Sequence, residues 1–120
     1  MKKEKYDKAE KLLFKIKNPN TLSKSQKNYY HCAKGLIAIN KKDWEVSYSE
    51  LNDALNIGLR TKNDTSIVLL NLAKVEFERK NINEAEDYLS KVGKFKLKPL
   101  IRSDMEKLKN EINLFKENNN

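Results

Sequence analysis

A four-point pattern recurs along this chain at a constant interval of 38 residues: Tyr6, Ala9, Leu13, Ile16, then Trp44, Ser47, Leu51, Ala54, then Ile82, Ala85, Leu89, Val92. A fixed period of that length marks one supersecondary unit copied along a stack, in which each copy buries its apolar face against its neighbour. That excludes most architectures organised around a single central pocket. It directs the functional expectation toward a surface that holds another protein.

Apolar positions follow the 3.6-residue helical period almost throughout, and the breaks between periodic stretches carry start and stop chemistry. Six helices are expected. The first runs from about Lys3 to Lys17 and stops before Asn18-Pro19-Asn20, where proline disfavours helical geometry in the residue ahead of it. The second starts near Ser23, which has capping-box spacing with Gln26, and runs to about Asn40. Asp43 caps a third, from Trp44 to about Gly58. After the polar stretch Arg60 to Asp64, a fourth is capped by Asp64 and reaches about Lys80.

A fifth helix follows at once, with capping-box spacing between Asn81 and Glu84. It is expected to end at Val92-Gly93, where Gly93 suits a left-handed terminus. Lys94 to Lys98 reads as a helix end and loop. The last helix, Pro99 to Lys116, carries Ile101, Met105, Leu108, Ile112 and Phe115 as one apolar stripe, expected to cover the open face of the final repeat. Its alternative use is a coiled-coil seam in a homodimer. The chain of 120 residues with three Gly and two Pro suits a single helical domain, residues 1 to 117, followed by a disordered tail, Asn118 to Asn120.

The spacing resembles the tetratricopeptide repeat family. There a small residue precedes an aromatic by nine positions, and Ala, a large apolar residue and Ala follow it by three, seven and ten. Gly35, Trp44, Ser47, Leu51 and Ala54 match with Ser for the first Ala, and Ala73, Ile82, Ala85, Leu89 and Val92 match with substitutions at both ends. The resemblance covers roughly Tyr6 to Val92 and implies a right-handed α-solenoid of helical hairpins with a carboxyl-terminal capping helix. The physical reason is close packing: small groups at Gly35, Ser47, Ala73 and Ala85 let helix backbones approach while Trp44 and Leu51, or Ile82 and Leu89, fill the space between.

Two departures stand out. The period is 38 residues rather than the family's roughly 34. The first match, Tyr6 to Ile16, corresponds to the second helix of a unit alone. Either that helix caps the stack, or the chain belongs to a longer protein whose upstream part holds another helix or a membrane anchor.

The resemblance implies that the first helix of each unit lines a concave surface for a peptide or partner segment. Aligned on the repeat, that surface presents Tyr29, Cys32, Leu36, Ile39 and Asn40, then Ile67, Leu70, Asn71, Lys74, Phe77 and Glu78. Such a groove suits an apolar or amphipathic segment, with Asn40 and Asn71 for a peptide backbone and Lys74 for an acidic group. Several of these residues would equally serve as packing. The family's carboxylate clamp is not expected, because Cys32 and Leu36 stand where its Lys and first Asn belong and only Asn71 corresponds.

The net charge of +8 is carried almost wholly by Lys, with Arg60, Arg79 and Arg102 as the arginines and acidic residues interspersed. Nucleic-acid readers usually concentrate charge and use Arg, so nucleic acid is the disfavoured partner. The Lys-rich stretch Lys91, Lys94, Lys96, Lys98 and Arg102 is the place where an anionic surface would be met, in the salt-sensitive way lysine allows. A membrane enters only through an upstream anchor. The lone Cys32 argues for a reducing compartment, so a cytoplasmic location is expected.

No catalytic residue, metal ligand or cofactor is expected. His31 and Cys32 are single copies of their kinds, and as helix neighbours they point about 100° apart, which rules out a nucleophilic pair. There is no phosphate loop, no GxSxG elbow and no cluster with metal-ligand spacing, and Glu84, Glu86 and Asp87 read as a solvated helix face. The expectation is a non-enzymatic interaction scaffold or adaptor. The alternatives are a module attracted to anionic surfaces, or a fragment of a peptide-sensing or membrane-tethered protein.

Overall fold

In the computed structural model, residues 21–119 are described and contain five α-helices with no strand among them: α1 (Lys24–Asn40), α2 (Trp44–Ile57), α3 (Lys62–Glu78), α4 (Ile82–Val92) and α5 (Pro99–Asn118). The expected helix Lys3 to Lys17, with the first copy of the repeat, lies outside the described residues. The chain divides into two compact units between Arg60 and Thr61, inside the polar connection.

In the first unit α1 packs on α2. The capping box forms: Gln26 N donates to Ser23 Oγ at 3.2 Å and Ser23 N donates to Gln26 Oε1 at 3.0 Å, satisfying two orphan amides of the first turn. Asp43 caps α2 by accepting from Val46 N at 3.2 Å, and Gly58 ends it with a positive φ of 99° that suits a residue lacking Cβ. Gly35 is the contact point of the hairpin. A Cβ there would stand 2.7 Å from Leu51 Cγ, so the absence of a side chain lets Leu51 seat fully buried against the α1 backbone. Ser47 and Ala54, also fully buried, flank Leu51 on α2.

The second unit repeats the hairpin as α3 and α4. Ala73, Ala85, Leu89 and Val92 are all buried, one period beyond Gly35, Ser47, Leu51 and Ala54. The turn is copied as well. Lys42 N donates to Ile39 O at 2.9 Å and Asp43 N to Ala38 O at 2.8 Å; one period on, Lys80 N donates to Phe77 O at 3.0 Å and Asn81 N to Glu76 O at 2.8 Å. Both turns pass through a left-handed lysine, Lys42 at φ 62° and Lys80 at φ 67°. This is a Schellman-type helix end, with lysine where glycine would be unstrained.

Three start and stop assignments need correction. The cap of α3 is Thr61, whose Oγ1 accepts from Asp64 N at 3.0 Å, so Asp64 sits in the first turn, where its charge suits the helix dipole. Asn81 makes no capping box with Glu84: its side chain instead donates to Glu76 Oε2 at 2.7 Å. Gly93 ends α4 in right-handed geometry, φ −63°, not in the left-handed region.

Helix α5 lies against both α3 and α4. Pro99 occupies its first turn, where a missing amide donor costs nothing, and the helix continues through Asn118, into the segment expected to be a tail. Ile101, Met105, Leu108 and Ile112 are buried and Phe115 meets Phe77 edge to face at 5.9 Å between centroids. Lys116 bridges to Glu86 of α4 at 2.9 Å. The stripe is thus used inside the unit, and α3, buried on nearly all sides, is its centre.

Candidate functional site

The residues expected to line a partner-binding surface divide by unit. On α1, Tyr29, Cys32, Leu36, Ile39 and Asn40 share one face beside the one that meets α2. Tyr29 is 59% exposed, Asn40 is exposed, and Cys32, Leu36 and Ile39 are half-buried. Tyr29 also borders a shallow depression shared with Leu22, Ser25 and Gln26. Cys32 Sγ lies 3.5 Å from Asn28 Oδ1, and Asn28 in turn reaches across to the end of α2, donating to the Ala54 and Gly58 carbonyls. Cys32 is therefore tied to the hairpin's packing as well as to the α1 face.

On α3 the corresponding residues are more engaged within their own unit. Leu70 is buried, Phe77 is engaged with Phe115 of α5, and the Asn71 amide donates to its own helix at Ile67 O, 2.9 Å away. Ile67 and Lys74 are half-buried and Glu78 is exposed. Leu70 and Phe77 thus belong to the packing of the second unit.

The basic stretch is fully outward: Lys91, Lys94, Lys96, Lys98 and Arg102 are all exposed, with Lys91 Nζ 5.4 Å from the Tyr88 ring centroid. No helix among the described residues is long and apolar enough to cross a membrane.

Sequence reading passes over one cluster entirely. Across the α1–α2 seam, His31 Nδ1 donates to Glu50 Oε1 at 2.8 Å and stands 4.0 Å from Asp53 Oδ2, while Lys34 Nζ lies 3.5 Å from Glu50 Oε2. Tyr30 frames it, with its ring edge-on to His31 at 5.5 Å and 5.0 Å from Lys34 Nζ. Side-chain exposure falls from 51% at Asp53 through 23% at His31 to 13% at Glu50, so the cluster opens to solvent on the Asp53 side. Burial pulls the Lys34 ammonium pKa down, but the Glu50 carboxylate and then Tyr30 outweigh it and hold the pKa above the ordinary lysine value.

The cluster is invisible in sequence because its members are 19 and 22 positions apart, and only the hairpin's register joins them. The signal that finds it is the repeat. One period beyond His31, Lys34, Glu50 and Asp53 stand Leu69, Leu72, Tyr88 and Lys91, with Leu69 and Leu72 buried. A polar quartet in one copy replaces a largely apolar set in the other.

No family model, curated protein or solved structure matches the chain. The class that the fold defines is an all-α protein, with two helical hairpins among the described residues.

Proposed function

We propose that this is a non-enzymatic interaction module of tetratricopeptide-like hairpins, which holds a segment of another protein on the α1 face. The observation that carries the reading is Tyr29. A large aromatic side chain 59% exposed, beside an apolar depression and in line with the half-buried Leu36 and Ile39, is the kind of anchor that dominates protein interfaces. The 38-residue repeat in sequence and in turn geometry supports the same class, since repeat arrays commonly serve as binding surfaces.

The test is affinity capture comparing the wild-type chain with Tyr29→Glu and Leu36→Asp variants whose helicity and melting match it. A partner recovered at high salt by the wild type and lost by both variants supports the module. Equal recovery by all three removes the α1 face from consideration. A second reading rests on the exposed run Lys91 to Arg102: if recovery depends on low salt and on charge at Lys94, Lys96 and Lys98 instead, an anionic surface is the ligand.

A further inference from the structure

We propose that His31, Glu50 and Asp53 form a binding site for a divalent cation of the zinc class, clamping α1 to α2 within the first hairpin. The three donor atoms, one imidazole nitrogen and two carboxylate oxygens, all lie within 4.8 Å of one another. A tetrahedral zinc ion with bonds of about 2.0 to 2.1 Å places its ligand atoms roughly 3.3 Å apart. The observed 2.8 Å between His31 and Glu50 and 4.0 Å between His31 and Asp53 bracket that spacing. Glu50 and Asp53 are one helical turn apart on α2, and the half-exposed Asp53 has room to rotate inward.

The surroundings are those of an oriented ligand set. Glu50 turns Oε1 to His31 and Oε2 to Lys34, so its second oxygen is ion-paired at 3.5 Å while the first is aimed into the cluster. The Tyr30 edge packs on the His31 ring and fixes its plane. Supporting partners of this sort set ligand orientation in metal sites. Binding would replace the hydrogen bond from His31 Nδ1 to Glu50: the ring would change tautomer, its single proton moving from Nδ1 to Nε2 by exchange with solvent, and would offer Nδ1 to the ion. One nitrogen with two oxygens matches zinc, cobalt or nickel better than calcium or magnesium, which favour all-oxygen sets. Three protein ligands leave a fourth position open toward the solvent side marked by Asp53.

The repeat supplies the independent argument. The second hairpin fills the corresponding positions with Leu69, Leu72, Tyr88 and Lys91 and keeps the same helix contact and turn, so the fold does not require two carboxylates and an imidazole at this seam. Gathering partly buried charges costs desolvation, and the first copy retains them where an apolar solution exists.

The experiment uses untagged full chain titrated with zinc against a chromophoric chelator, with cobalt absorption reporting coordination and thermal melting reporting linkage. The expected result is one equivalent bound with a micromolar or tighter dissociation constant, tetrahedral-type cobalt bands and a melting temperature that rises with zinc. His31→Gln and Asp53→Asn should each weaken binding at least tenfold, and Cys32→Ser should leave it unchanged. Asp53, half-exposed, keeps the test decisive if His31→Gln fails to fold. No saturable binding at 100 µM zinc, or binding indifferent to Asp53→Asn, would overturn the proposal.

Discussion

The two hairpins, α1–α2 and α3–α4, share a register, a turn and a small-residue contact, and differ in what fills the seam. In the first, Asn28 crosses to the α2 carboxyl terminus and His31, Lys34, Glu50 and Asp53 interlock as charged and polar groups. In the second, Ser66 at the position of Asn28 bonds back to its own helix at Asn63 O, 2.7 Å away, and leucines take the places of His31 and Lys34. The buried apolar set of the second unit also extends through Ile101, Met105, Leu108 and Ile112 of a third helix. Backbone geometry is thus set by a few small residues and left-handed turn positions, while the rest of the seam is free to carry either oil or charge.

The largest effect is expected where the two copies agree. Leu51→Ala or Leu89→Ala removes a buried side chain from the shared contact and should cost about 2 to 5 kcal/mol in urea unfolding. Gly35→Ala should cost about 1 to 3 kcal/mol, because its Cβ would stand 2.7 Å from Leu51 Cγ, outweighing the gain in helix propensity. In a Leu51→Ala background the same change should become neutral or favourable. Additive effects in that double-mutant cycle would remove the contact from the account.

Glu76 is the sharpest difference inside the copied turn, since its counterpart is Ala38. It is 2% exposed and accepts from Arg79 Nη1 at 3.1 Å and Asn81 Nδ2 at 2.7 Å. Glu76→Ala should destabilise by about 1.5 to 3 kcal/mol, as expected for loss of hydrogen bonds to a charged group. Asn81→Asp should cost stability too, by setting a second carboxylate against the first. A thermal melt of each variant checks both.

Relieving the left-handed lysines should stabilise. Lys42→Gly is expected to gain roughly 1 kcal/mol, since a left-handed L-residue costs about 1 to 2 kcal/mol and the entropy of glycine in the unfolded chain returns part of it. Lys80→Gly should gain less, because it also removes the contact of Lys80 Nζ with the Phe115 ring at 4.9 Å. Equal gains would show that this contact contributes nothing.

The smallest effect is a pH dependence. Because the Lys34 pKa is raised in the fold, its contribution is fully present below the ordinary lysine pKa and is lost as pH rises through the raised value. The stability difference between wild type and Lys34→Met should therefore be constant across neutral pH and shrink on the alkaline side. A difference that grows with alkalinity would reverse the sign.

Much of the fold was legible in the sequence. The caps at Ser23 and Asp43, the stripe on α5 and the repeated Leu51 and Leu89 are local or periodic signals, and local signals survive translation into structure. What failed was competition between partners. Asn81 has the spacing to cap with Glu84, but buried Glu76 reaches its amide first, and Gly93 offers left-handed freedom that the helix end does not use while Lys42 and Lys80 adopt it. On the candidate surface the period identifies a face without telling which neighbour covers it: of the residues read as groove, Leu70 is buried and Phe77 is half-buried against Phe115. The His31 cluster was hidden for the converse reason, being built only when two helices align.

The central claim is that the two hairpins are copies of one pattern and that the charged seam of the first is an addition the hairpin does not need. It is tested most directly by transplanting the second seam into the first, His31→Leu, Lys34→Leu, Glu50→Tyr and Asp53→Lys together, and measuring thermal unfolding by circular dichroism. The account predicts a cooperative transition at an equal or higher temperature, as replacing buried ionic groups by apolar ones often gives. A chain that loses cooperative unfolding, or melts well below the wild type, would contradict it.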